Sequence, residues 1–126
     1  MRLLLNNTEL IQVSSKKRWN ETAVEVYPGE EYEFLAVGTW ADLFNKAGAD
    51  GYDNAFLHLF DKLKRDPVHK WFALMGTINK QFHFLVGECN KLKFDVGGKL
   101  SFYANDIPGL YWGNSKSISL FVTRRQ

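Results

Sequence analysis

Cysteine occurs once in this chain, at Cys89. A single thiol excludes an internal disulfide and a thiolate metal cluster, and the expected role of Cys89 is that of a small apolar residue, buried or half-buried. Long apolar runs are missing too, so no segment is long enough to span a membrane. The short run Leu3-Leu4-Leu5 is cut off by Asn6-Asn7-Thr8-Glu9 before it reaches the length of a signal peptide. The expectation is therefore a soluble protein, cytoplasmic or exported without a signal peptide. Charge of one sign is also lacking. A net charge of +2 is too mild to argue for nucleic acid, and Lys16, Lys17 and Arg18 read as a solvated face. Catalytic signatures are absent: there is no Gly-x-Ser-x-Gly element, and Cys89 has no activating partner nearby in sequence. No spacing singles out a glycosidase pair from Asp50, Asp53 and Asp106. The expected class is a binding protein and not an enzyme. With no repeats and no low-complexity segments, the 126 residues form one domain, 1–126, with room for one core.

What the chain does have is aromatic residues, 15% of the total, set in short alternating runs. Residues 3–13 read as one or two short strands broken at Asn6-Asn7. Residues 23–27 and 31–38 read as two strands joined by a Pro28-Gly29 turn into a hairpin, with proline and glycine where a type II turn needs them. Residues 45–54 form a long loop of the kind that often binds. Residues 55–61 fit a helical face as well as a strand, so at most one short helix is expected, around residues 56–64. Residues 71–78 read as a buried strand, with Asn79-Lys80 as a turn before residues 82–86. His83 reads as a surface or satisfied strand histidine, and residues 92–95 as a short strand. Near the end, Leu100, Phe102 and Ala104 alternate with Ser101 and Tyr103, and Ile118, Leu120 and Val122 alternate with Ser117, Ser119 and Phe121. Each set places one strand face in a core. Many short strands with frequent turn signals give the fold class: all-β, an antiparallel β-sandwich, whose end loops are the natural binding surfaces.

The loop between the last two strands is rich in hard oxygen donors: Asn105, Asp106, Asn114, Ser115 and its own carbonyls. Such a loop wraps a calcium ion or simply caps the strand ends. Taken with Val24-Glu25-Val26-Tyr27-Pro28-Gly29-Glu30, Gly38-Thr39-Trp40-Ala41 and Ala73-Leu74-Met75-Gly76-Thr77-Ile78, the colinear Asn105-Asp106-Ile107-Pro108-Gly109 and Asn114-Ser115 resemble the PA-IL type galactose-binding lectins. The resemblance runs from about Val24 to Val122. It implies an all-β, antiparallel jelly-roll-like β-sandwich that binds carbohydrate through a calcium ion at one end, galactose-type sugars, and a homo-oligomer that gains avidity by presenting several sites.

Carried onto this chain, the resemblance implies Asp106 as carboxylate ligand, Asn114 as amide ligand, and Leu110 and Leu43 at the two backbone-carbonyl positions. It departs from the family at Gly113, which has no side-chain oxygen where a second amide belongs, and at Lys116, which replaces a glycine with a cation. On the sugar side, Asp106, Asn114, Trp112 and His69 are the expected contacts, with His58, Asp61, Lys64 and Asp66 of the middle segment as further candidates. Trp40 and Trp71 read as core residues, whereas Trp112 fits a sugar platform or a packing role equally. The rival reading is a jelly-roll interaction domain that has lost calcium and sugar.

Overall fold

The computed structural model describes residues 1–42, 45–53 and 57–126, with only the backbone of His58. Ten strands are present among them: β1 (Thr8–Ser14), β2 (Asn20–Val26), β3 (Glu31–Val37), β4 (Trp40–Ala41), β5 (Lys46–Ala47), β6 (Leu74–Ile78), β7 (Phe82–Leu85), β8 (Cys89–Lys93), β9 (Gly98–Ala104) and β10 (Ser117–Arg124). Two four-stranded sheets, in the orders β1-β10-β3-β8 and β2-β9-β6-β7, pair antiparallel throughout, and β4-β5 forms a small separate ribbon. The fold is the all-β sandwich that the alternation predicts. The only helical turns among the described residues are 3-10, at Leu57–Leu63 and Tyr111–Gly113.

The expected hairpin of residues 23–27 with 31–38 does not form. β2 pairs with β9, and β3 pairs with β10 and β8, so the two strands lie in different sheets. The turn itself is as expected: Glu30 N donates to Tyr27 O at 3.1 Å, and Gly29 has φ +86°. What differs is its destination. Val24 and Val26 on one strand and Tyr32 and Phe34 on the other are all buried. Facing each other across a core covers both rows, whereas side by side they would still need a second layer. The link between β9 and β10 crosses between the sheets in the same way. In contrast, β6 and β7 do form a hairpin, with Asn79 and Lys80 both at positive φ.

Phe34 centres the core, with the rings of Phe84, Phe94 and Phe102 at 5.7, 6.4 and 6.3 Å. Gly76 on β6 makes this packing geometrically possible, since a Cβ there would lie 2.5 Å from the Phe84 ring. The β2-β9-β6-β7 sheet is covered on its outer side as well. Tyr103, Met75 and Ala73 are buried there against Trp19, and Ser101 and Thr77 share a hydroxyl hydrogen bond at 2.6 Å. Ser101 and Tyr103 therefore do not face solvent, and β6 is buried on both faces, as its apolar run predicts. His83 bonds the Tyr103 hydroxyl through Nδ1 at 2.8 Å. Cys89 is exposed, not the buried apolar residue expected, because β8 is an edge strand and the cysteine falls on its outer face.

Candidate functional site

The β9–β10 crossing builds one end of the sandwich. Asn105, at its start, is fully buried. Its Nδ2 donates to the carbonyls of Asp66, His69 and Lys70 at 2.9, 3.2 and 3.1 Å, and its Oδ1 accepts the Asp66 N–H at 2.9 Å. Its side chain thus staples the 66–70 segment and is not among the loop's available oxygen donors. Asp106 follows, with Oδ1 accepting the Ile107 N–H at 2.7 Å. Leu110 N donates to Ile107 O at 3.0 Å across Pro108-Gly109, and Gly109 has φ +91°, which only glycine adopts readily. Tyr111 anchors the 3-10 turn by donating its hydroxyl to Ala104 O at 2.7 Å and accepting from Arg65 Nη1 at 3.0 Å.

Asn114 is buried, and its Nδ2 donates to Ser15 O at 2.9 Å. Ser15, next to the Lys16-Lys17-Arg18 run, is itself buried, with its Oγ donating to Ser115 O at 2.7 Å. Ser115 and Ala41 exchange backbone hydrogen bonds of 2.7 and 3.0 Å. That bridge draws the end of β4 against the β9–β10 loop and brings Asp42 to the site. Trp40 fixes the other side of β4. It is fully buried and donates Nε1 to Phe72 O at 3.0 Å. Phe72 sits in the left-handed region at φ +63°, an unfavourable conformation for an aromatic residue that the surrounding packing must enforce.

Between these segments lies a cleft of about 220 Å³ lined by Asp42, Asn45, Leu57, Asp106, Leu110, Trp112, Gly113 and Asn114. It continues into a second depression of about 280 Å³, where Tyr52, Phe60, Trp71 and Ile107 join Asp42, Leu57, Asp106 and Leu110. The lining is amphipathic: it combines the carboxylates Asp42 and Asp106 and the amides Asn45 and Asn114 with Leu57, Leu110 and a 66% exposed Trp112. Burial raises the Asp106 carboxyl above its ordinary 3.8. The Ile107 N–H and the Asn114 side chain counter this, and the Asp42 charge adds to it. Among the described residues no basic side chain forms an ion pair with Asp106. Asp42 accepts from Asn45 N through Oδ1 and from the Tyr52 hydroxyl through Oδ2, both at 2.7 Å. Burial, then that bond to Asp42, raises the Tyr52 phenol.

Of the expected site residues, the structure brings together Asp106, Asn114, Trp112 and Leu110. Leu43 lies outside the described residues, although its neighbours Asp42 and Asn45 line the cleft. His69 is not with them. It lines a different depression beside Asp50, Lys70 and Leu85, and its Nδ1 stands 3.0 Å from Asp66 Oδ2. Lys64 is buried, its Nζ bonded to His69 O at 2.6 Å and 3.2 Å from Asp61 Oδ1, and Asp61 also accepts from Trp71 Nε1 at 3.1 Å. Lys116 is exposed at φ +70° and is not part of the cleft lining. Sequence reasoning missed Asp42 and Asn45. The available signal was position, since both flank the segment that follows Trp40-Ala41.

The described lining carries side chains that suit a hard cation, the two carboxylates Asp42 and Asp106 and the two amides Asn45 and Asn114. Among the described residues no group of three or more histidine, cysteine, aspartate or glutamate side chains converges, so any cation here depends on amide and carbonyl oxygens as well. No family model matches this sequence, and no curated protein matches it. Among solved structures the chain is similar to one described as "EclA N-terminal domain; PllA-like lectin", with TM-score 0.66 and 18% identity, covering 91% of this chain and 94% of that one. At that identity the likeness establishes a shared lectin fold.

Proposed function

We propose that the chain is a carbohydrate-binding, lectin-like domain that takes a hexose in the Asp106–Asn114 cleft. The observation that carries this reading is the amphipathic lining, in which Asp106 and Asn114 share one cleft with the exposed Trp112. A sugar has the same two characters, hydroxyls on its rim and an apolar ring face that stacks on indole. The lectin fold of the structural neighbour supports the class, and the loop's resemblance to galactose-binding lectins supports a galactose-type ligand. Asp106 and Asn114, with Asp42 beside them, are the residues that would hold a calcium ion. Such an ion, when bound, supplies direct coordination to sugar hydroxyls. Asp42 offers side-chain oxygens where Gly113 has none. Several sites on a homo-oligomer would add avidity.

Calorimetry with galactose and calcium, separately and together, tests the reading. If the ion bridges protein and sugar, each must tighten the other by the same factor. Trp112→Ala should weaken sugar binding roughly three- to tenfold and leave the unfolding midpoint unchanged. Heat from neither calcium nor any hexose would favour the second reading, an interaction domain without a sugar site. Gly113, lining the cleft without a side-chain oxygen, is the observation on that side.

A further inference from the structure

Arg65 lines neither depression, yet it is bonded to both feet of the loop that builds them. Its N–H donates to Asp106 O at 3.0 Å, and its Nη1 donates to the Tyr111 hydroxyl at 3.0 Å and to Arg18 O. Asp106 opens the arc that runs over Pro108-Gly109. Tyr111 closes it and starts the turn that carries Trp112 and Gly113, and its carbonyl accepts the Asn114 N–H at 3.0 Å. Between those feet the arc has little to hold it. Pro108, Gly109 and Leu110 are exposed, and a Cβ on Gly109 would meet nothing within 4 Å.

Arg65 is itself held by the outer face of the β2-β9-β6-β7 sheet. Its guanidinium carbon lies 3.7 Å from the centroid of the Tyr103 ring and 4.1 Å from that of Trp19. A planar guanidinium stacks on aromatic rings while its N–H groups bond in its own plane, a combination that an ammonium does not offer. The placement is costly. Nη2 is shielded from water without a hydrogen bond, and no carboxylate among the described residues forms an ion pair with Arg65. An unbranched apolar side chain would fill the slot without either penalty. What it would not supply are the bonds to Tyr111 and to the Arg18 carbonyl. We infer, on the reading that the cleft takes a hexose, that Arg65 is a positioning residue for that site. It fixes Asp106 and Trp112 relative to each other before the sugar arrives, so that binding does not have to order the arc.

Galactose calorimetry and amide hydrogen exchange across residues 109–113, both well below the unfolding midpoint, test this together. Arg65→Met keeps the stem and loses the donors. It should weaken galactose binding about tenfold, the effect of one charged hydrogen bond, and speed exchange in the arc by a similar factor. Arg65→Lys keeps the charge without the planar fork and should not rescue either. Tyr111→Phe removes the same bond from its other side. Combined with Arg65→Met it should weaken binding by less than the product of the two single effects, since both act on one contact. Glu30→Ala, at the far end of the sandwich, controls for lost stability and should move neither readout. Arg65→Met or Arg65→Lys binding galactose like wild type would overturn the inference. So would weakened binding with unaltered exchange in the arc, full additivity with Tyr111→Phe, or an equal loss of affinity in Glu30→Ala. A wild type that binds no hexose would overturn the hexose reading and this inference with it, an outcome distinct from all of these.

Discussion

Glu30 and Asp106 occupy equivalent places at opposite ends of the sandwich. Each sits in a crossing from one sheet to the other, Glu30 between β2 and β3 and Asp106 between β9 and β10, and each is withdrawn from water. Their electrostatic surroundings are opposite. Glu30 is 4% exposed and receives Arg2 Nη2 at 2.6 Å, Arg124 Nη2 at 2.8 Å, the Tyr32 hydroxyl at 2.6 Å and Tyr27 N–H at 3.0 Å. Burial alone would raise its carboxyl, but the bonds from Tyr32 and Arg2 and the Arg124 charge outweigh it and hold the group below its ordinary 4.5. Asp106 has hydrogen bonds but no ion pair among the described residues, has the Asp42 charge nearby, and is raised. A buried carboxylate ringed by fixed cations is a structural joint. One that lines a cleft beside a like charge has no such joint to hold, and this is the contrast on which the proposed binding site rests.

Removing the joint should have the largest effect. Glu30→Ala leaves Arg124 without its buried counter-charge and should cost about 3 kcal/mol, a fall of roughly 10 °C in the unfolding midpoint of a chain this size. Hexose binding at the far end should survive below that midpoint. The pH dependence follows from the lowered carboxyl. The stability it contributes is fully present above pH 4.5 and is lost as pH falls through the lower folded-state value. Thermal melts of wild type and variant across pH 3–7 should therefore converge at the acid end.

Asp106→Asn should produce the reverse pattern. A carboxyl raised in the folded state favours folding only when protonated. Its cost is absent below 3.8 and grows as pH rises through the raised folded-state value. The neutral amide should therefore leave stability at pH 7 unchanged or slightly higher, while calcium and hexose affinity fall at least tenfold. A large drop in unfolding midpoint would place Asp106 with Glu30 as a structural group and remove the contrast.

The two crossings were not equally legible in the sequence. Alternation in residues 98–104 and 117–124 gave both strands, and Pro28-Gly29 gave its turn, because these signals are local. The partners of those strands are not local. β2 and β3 meet an arch instead of a hairpin because both carry inward rows, and a row does not state which neighbour covers it. Asp106, Asn114 and Trp112 were legible as a site because one short loop holds them. Asp42 was not, since it arrives through the Ala41–Ser115 bridge, a pairing across more than seventy residues. Asn105 shows the converse failure. Its residue type suits a ligand, yet its side chain is bonded on every side to the 66–70 segment. Lys64, a candidate sugar contact by residue type, is instead buried over the Trp71 ring at 5.1 Å and lies outside the cleft lining.

The smallest effect should come from Lys116, and it tests how far the cleft's negative character extends. The galactose-binding lectins that the loop resembles have glycine there, and a lysine close to a cation site would oppose binding by charge. Its side chain is exposed and outside the cleft lining, so solvent screening should leave little of that repulsion. Its backbone is another matter. At φ +70° a residue with a Cβ pays a steric cost of about 1–2 kcal/mol that glycine avoids. Glycine in turn loses roughly 0.5–1 kcal/mol more conformational freedom on folding. The difference favours Lys116→Gly by roughly 0.5–1 kcal/mol, which thermal unfolding resolves as a rise of a few degrees. Calcium and hexose titrations of this variant should match wild type. A gain in affinity larger than threefold would mean that the Lys116 charge reaches Asp106 and Asp42, and that the cleft's field is set by its rim as well as by its lining.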